Sequence, residues 1–79
     1  MSEKEILSRI IIDPKIMVGK PVVKGTRLTV QFILGLLAQG MSTEEIIEKY
    51  ATLTKEDILA CLLFARDALA STTFVPLSV

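Results

Sequence analysis

The stretch that decides the fold is STEEIIEKYATLTKEDILACLLFARDALA, residues 42–70. It opens with Ser42, and Glu45 follows three positions later. A hydroxyl side chain and an acid at this spacing form a capping box, which satisfies the free N–H groups of a helix's first turn. The pattern therefore predicts a short helix over 43–50, with its isoleucines turned inward and its glutamates outward.

The same signal occurs again twelve residues later, at Thr54 and Asp57. It predicts a longer helix over 55–70. At 100° per residue, one wide core face of this helix holds Ile58, Cys61, Leu62, Ala65, Ala68 and Leu69. Only residues 51–54 join the two helices, a connection typical of a helix-turn-helix. Many small helical domains have such a junction, so the spacing alone does not identify a DNA-binding protein.

A third helix is predicted upstream, over 30–39. Thr29 is a suitable N-cap, and Gly40 can adopt the left-handed backbone that ends a helix. Only three of its positions are not apolar, Gln31, Gly35 and Gln39. Because a helix that is apolar around most of its circumference is usually buried, we expect this one to be central.

Before the helices, the sequence predicts a β-ribbon. SRIIID, residues 8–13, is rich in β-branched side chains and stops at Pro14, which cannot donate to a strand ladder. TRLT, residues 26–29, is the expected antiparallel partner. Val22-Val23 is a further candidate for a short strand.

The 79 residues are enough for one small domain, and 51% hydrophobic residues exclude a disordered chain. The predicted fold class is mainly α, a three-helix helix-turn-helix (homeodomain-like) domain with a short N-terminal β-ribbon. Its parts are a β-ribbon over 8–29, three helices over 30–70 and an extended tail over 71–79. A chain this apolar has more apolar surface than one small monomer can bury, and we therefore expect a homodimer.

The residue inventory argues against an enzyme. Without histidine there is no Ser-His-Asp triad and no histidine metal ligand, and Cys61 alone cannot form a disulfide or a cysteine zinc site. We expect no cofactor and no catalytic residue. The start lacks the pattern of a signal peptide, and the longest apolar run, 58–65, is too short for a membrane span. These features favour a cytoplasmic protein.

Several short motifs, in this order, carry a family resemblance: Ile12-Asp13-Pro14, Gly19-Lys20-Pro21-Val22, Gly25-Thr26-Arg27, Gly40-Met41-Ser42 and Leu53-Thr54-Lys55-Glu56-Asp57-Ile58. Over 9–65 the chain resembles the family called domain of unknown function 433. That resemblance implies a homeodomain-like helix-turn-helix. It also implies a VapB-type antitoxin of a type II toxin-antitoxin system, which binds a PIN-like ribonuclease toxin and can bind operator DNA. It implies no catalytic residues.

Charge is unevenly distributed along a chain whose net charge is zero. Residues 1–40 carry six bases and three acids, or +3, whereas residues 41–79 carry three bases and six acids, or −3. The longest predicted helix begins Lys55-Glu56-Asp57, and two acids there would repel phosphates. Lys55 is one DNA-binding candidate. The better candidates are three residues that we call the basic ribbon cluster: Lys20, Lys24 and Arg27. The alternative is that these are solvated loop charges.

Two surfaces are candidates for protein contacts. Leu59 and Leu63 fall within the charged face of the longest predicted helix, which predicts a dimer interface unless another part of the same chain covers them. The tail is uncharged and β-prone, and its apolar side chains are Phe74, Val75 and Leu77. The tail could pack on its own dimer, or it could add as a strand or an anchor to a partner protein. Two alternatives to an antitoxin stay open, a stand-alone helix-turn-helix regulator and an interaction module that binds no DNA.

Overall fold

Helices dominate residues 1–71, the part of the chain that the computed structural model describes. In chain order its elements are α1 (Glu3–Leu7), β1 (Ile10–Ile11), β2 (Val22–Val23), α2 (Val30–Ala38), α3 (Thr43–Lys49) and α4 (Lys55–Ala70). A single 3-10 turn, Met17–Gly19, lies between the strands. The prediction of a mainly helical protein with a small N-terminal sheet is confirmed. The predicted count of three helices is wrong, because α1 was not foreseen.

Both capping boxes set helix starts as predicted. The Ser42 hydroxyl accepts the Glu45 N–H at 3.1 Å, and the Glu45 carboxylate accepts the Ser42 N–H at 3.0 Å. Thr54 and Asp57 exchange the equivalent bonds at 3.2 and 2.9 Å. Since these bonds need no other part of the chain, the local sequence was enough to predict where α3 and α4 begin.

The sheet pairs different segments from those predicted. β1 runs antiparallel to β2, with Ile10 opposite Val23. Of the expected partner, 26–29, only the last residue bridges to β2. The Thr26 hydroxyl donates to the Val23 carbonyl at 2.8 Å and accepts the Leu28 N–H at 3.0 Å. These side-chain bonds close a turn after β2, and the end of the segment folds back on β2 instead of β1, with the Val23 N–H donating to the Leu28 carbonyl at 3.0 Å.

α2 begins and ends as expected, but it is not buried all round. The Thr29 hydroxyl accepts the Phe32 N–H at 3.0 Å, and Gly40 has a φ of +96° just beyond the helix. Ile33 is fully buried, whereas Phe32 is 42% exposed. The expectation of a central helix is therefore wrong for part of its surface. The other helices described are too few to cover every side of α2.

The core lies where α2, α3 and the first half of α4 meet β2. Its buried members are Val23, Val30, Ile33, Leu36, Ile46, Leu53, Ile58 and Cys61. On α4, Ile58 and Cys61 are buried as predicted, but Leu62 and Leu69 of the expected core face are exposed. With 16 residues, α4 is longer than α2 with 9 and α3 with 7. Its second half therefore extends past the core.

The N-terminal helix packs along α4. The Ser2 hydroxyl caps it by accepting the Glu5 N–H at 3.1 Å. The Arg66 guanidinium on α4 forms two hydrogen bonds to the Glu3 carboxylate, at 2.8 and 3.2 Å. α1 thus covers one flank of the part of α4 that the core does not reach.

Candidate functional site

At the start of α4, where Lys55 is a DNA-binding candidate, the protein's own side chains bind one another. Asp57 is only 6% exposed, and its carboxylate accepts the Thr54 N–H at 2.9 Å and Arg9 Nη1 at 3.1 Å. Arg9 comes from the segment just before β1. The Arg9 guanidinium binds the same carboxylate that caps α4. The negative charge of Asp57 also offsets the positive end of the helix dipole. Lys55 is exposed beside this pair.

The three residues of the basic ribbon cluster do not share one hollow. Lys20, Lys24 and Arg27 all reach solvent, and none forms an ion pair with a residue of the described part. They lie at the turns on either side of β2. Lys20 borders a hollow against α4, however, and Arg27 borders another against Phe32. The cluster therefore forms no single charged pocket.

The predicted dimer face on α4 is partly covered by α1. Leu59 is 38% exposed and Leu63 is half-buried. Both lie in one helical row with Arg66, which holds Glu3 of α1. The hydrogen bond from Arg66 lowers the pKa of Glu3 below its usual range and raises the pKa of Arg66. Part of the cover over this face thus comes from the same chain.

Cys61 is a core residue, as its position on the predicted helix indicated. It is fully buried, and burial raises the pKa of its thiol to about 12, with a smaller contribution from the nearby Asp57 carboxylate. Such a thiol is protonated and unreactive at neutral pH. Within residues 1–71, no three cysteine, aspartate or glutamate side chains are grouped to hold a metal ion.

A surface that sequence reasoning missed lies around the 3-10 turn. Met17 and Val18 both have positive φ, +49° and +56°. A β-branched side chain is a genuine outlier there. Val18 is 93% exposed, and Met17 and Phe32 border a hollow of about 280 Å³ with Arg27 at its edge. We call Met17, Val18 and Phe32 the loop patch. The Phe32 ring is held edge-on to Tyr50, with ring centres 5.7 Å apart.

A larger apolar groove separates α2 from the second half of α4. It encloses about 410 Å³. Val30 and Leu34 form its α2 wall, Phe64 and Leu69 its α4 wall, and Lys20 stands at the rim. Leu69 is 55% exposed. A residue predicted to lie in the core of α4 therefore lines an open groove instead.

The tail candidates Phe74, Val75 and Leu77 lie outside the described residues. Among the helices of residues 1–71, none combines the length and the apolar character that crossing a membrane requires.

Comparison with known proteins gives a family but no activity. Residues 10–65 match the family model described as protein of unknown function (DUF433). An uncharacterized protein of Archaeoglobus fulgidus is 58% identical over 24 residues, which are 30% of this chain and 67% of that protein. No solved structure matches. The family match spans most of the chain and includes both strands, α2, α3 and the first 11 residues of α4. The chain therefore belongs to the DUF433 family.

Proposed function

We propose that this protein is a non-enzymatic, antitoxin-like binding protein that holds a PIN-like ribonuclease toxin in the cytoplasm. The observation that carries the proposal is the loop patch, in which a strained backbone presents Val18 to solvent. The type of partner comes from the family resemblance.

The loop patch is costly to maintain in an isolated protein. Holding a non-glycine residue in the left-handed region costs on the order of 1–3 kcal/mol. Val18 gains no compensating burial, since it is 93% exposed. Strained backbone of this kind is concentrated at sites that bind something. Met17 and Phe32 line an apolar hollow with Arg27 at its edge, and Val18 is exposed next to Met17 in the chain, so the loop patch has the composition of a protein interface.

Co-expression with the product of the adjacent gene tests the proposal. Affinity-tagged protein should retain that product through purification and inhibit its cleavage of single-stranded RNA. Failure to retain or inhibit it would refute the antitoxin role.

A matched pair of variants then tests the loop patch. Val18→Gly removes the apolar side chain and suits a positive φ, so the variant should be at least as stable as the wild type while binding the partner more weakly. Leu62→Ala removes an exposed side chain from α4 and should leave binding unchanged. The opposite pattern would move the partner surface to α4.

DNA binding is a second candidate function, favoured by the solvent-accessible basic ribbon cluster. If the protein binds DNA, α3 and α4 form a homeodomain-like helix-turn-helix, and the turns on either side of β2 contact the phosphates. The protein would then act as a stand-alone regulator, or as an antitoxin that also represses its operon. The exposed glutamates of α3, Glu44, Glu45 and Glu48, favour the remaining alternative, an interaction module without DNA. Fluorescence anisotropy with DNA from the protein's own promoter separates these alternatives.

A further inference from the structure

The groove between α2 and α4 extends along α4 close to the point where the described chain stops. Leu69, on its α4 wall, lies two residues before Ser71. Ser71 has left the helical conformation, with φ −95° and ψ 4°. Eight further residues, 72–79, follow directly.

We propose that the groove is the docking site of residues 72–79 of the same chain. The two are chemically matched. The segment carries no charged side chain and supplies Phe74, Val75 and Leu77. The groove is lined almost entirely by apolar side chains, and Lys20 at the rim is the one charged residue among its described walls. This inference is independent of the proposed toxin, whose surface is the loop patch.

The segment is long enough to reach. The α4 wall runs from Phe64 to Leu69, and from Ala70 back to Phe64 is about 9 Å along the axis, at 1.5 Å per residue. Eight extended residues span up to about 26 Å. The segment is therefore longer than the α4 wall and has enough length to span the groove.

Residues 72–79 of the same chain have a concentration advantage over other occupants of the groove. A segment joined by one or two residues is present at an effective concentration on the order of millimolar or above. A second copy or a separate protein has to reach that concentration in solution. Each chain also supplies one groove and one tail, so no surface is left over.

NMR on the full-length free protein tests the proposal. Nuclear Overhauser effects should connect the Phe74 ring with the Leu34 and Leu69 methyl groups. Phe74→Asp should shift the amide signals of Val30, Leu34 and Ala65 and lower the thermal midpoint by about 5–10 °C. Ser78→Asp adds the same charge to the tail without removing an apolar side chain, and should have much smaller effects.

Three outcomes would overturn the inference. The first is the absence of contacts between Phe74 and the groove, with Phe74→Asp no different from Ser78→Asp. The second is that the contacts appear only between differently labelled chains, which would make a second copy the occupant. The third is that Phe74→Asp leaves the groove signals unchanged but abolishes binding of the co-expressed partner, which would assign the tail to that partner.

Discussion

Replacing Asp57 with alanine is expected to remove a large share of the protein's stability. The carboxylate is 6% exposed and forms two interactions at once. It accepts the Thr54 N–H at the start of α4, and it binds Arg9 from the segment before β1. One side chain therefore starts the longest helix and ties the N-terminal segment to it.

The expected destabilisation follows from those two interactions. A hydrogen bond to a charged group contributes about 1.5–3 kcal/mol, and a helix cap contributes about 1 kcal/mol. Because the two share one carboxylate, we expect a combined destabilisation of about 2–3 kcal/mol, less than the full sum of about 2.5–4 kcal/mol. A domain of 79 residues has a total stability of about 4–12 kcal/mol. The thermal midpoint should therefore fall by about 10–25 °C.

Thermal and urea unfolding, followed by circular dichroism, measure this change. Glu56→Ala is the matched control, because it removes a carboxylate from the same turn that forms no side-chain hydrogen bond with a described residue. It should change stability by less than about 0.5 kcal/mol. Arg9→Met removes the ion pair but keeps the cap, and should have an intermediate effect, since the Arg9 side chain is about a third exposed. Equal stabilities for Asp57→Ala and Glu56→Ala would refute the reasoning.

Three further predictions concern the surface. Light scattering at protein concentrations on the order of tens of micromolar should show a dimer. Leu59→Glu should give a folded monomer, and a dimer that persists in this variant would place the interface elsewhere. Alanine at all three positions of the basic ribbon cluster should weaken DNA binding and reduce its salt slope by about 0.9 for each phosphate that the protein no longer neutralises; weaker binding by Lys55→Ala alone would favour α4 as the reader. Acid should loosen α1, because the hydrogen bond from Arg66 lowers the pKa of Glu3, and stability from a lowered pKa disappears as pH falls through it. The acid-induced shifts of α1 amide signals should be clearly smaller in Glu3→Gln, and shifts of unchanged size would contradict that assignment.

The sequence was most informative where a structure rests on bonds between near neighbours. Both capping boxes, and the hydroxyl of Thr29, involve partners three residues apart. The start of α1 follows the same rule, since Ser2 and Glu5 have the spacing of a capping box. The sequence therefore carries a local signal for α1, which the prediction of three helices did not include.

Interactions between distant segments were not predictable in the same way. Arg9 and Asp57 are 48 positions apart, and nothing in the sequence around either residue indicates the other. The Thr26 hydroxyl bonds within a turn, which folds its segment back on β2 and leaves the other edge of β2 for β1. The exposure of Val18 depended on a left-handed backbone that β-branched residues seldom adopt, so local propensity argued against it.

The apolar character of α2 has a different cause from the one that the sequence indicated. A helix that is apolar all round was expected to be surrounded by its own domain. Phe32 and Leu34, two positions apart, are separated by about 200° around the helix axis, on opposite sides. Phe32 belongs to the loop patch and Leu34 to the groove, while Ile33 between them faces the core. The helix therefore separates two open apolar surfaces as well as anchoring the core. If a partner protein covers the loop patch and the chain's own tail fills the groove, both exposed sides of α2 become buried. That would explain why α2 has the composition of a buried helix.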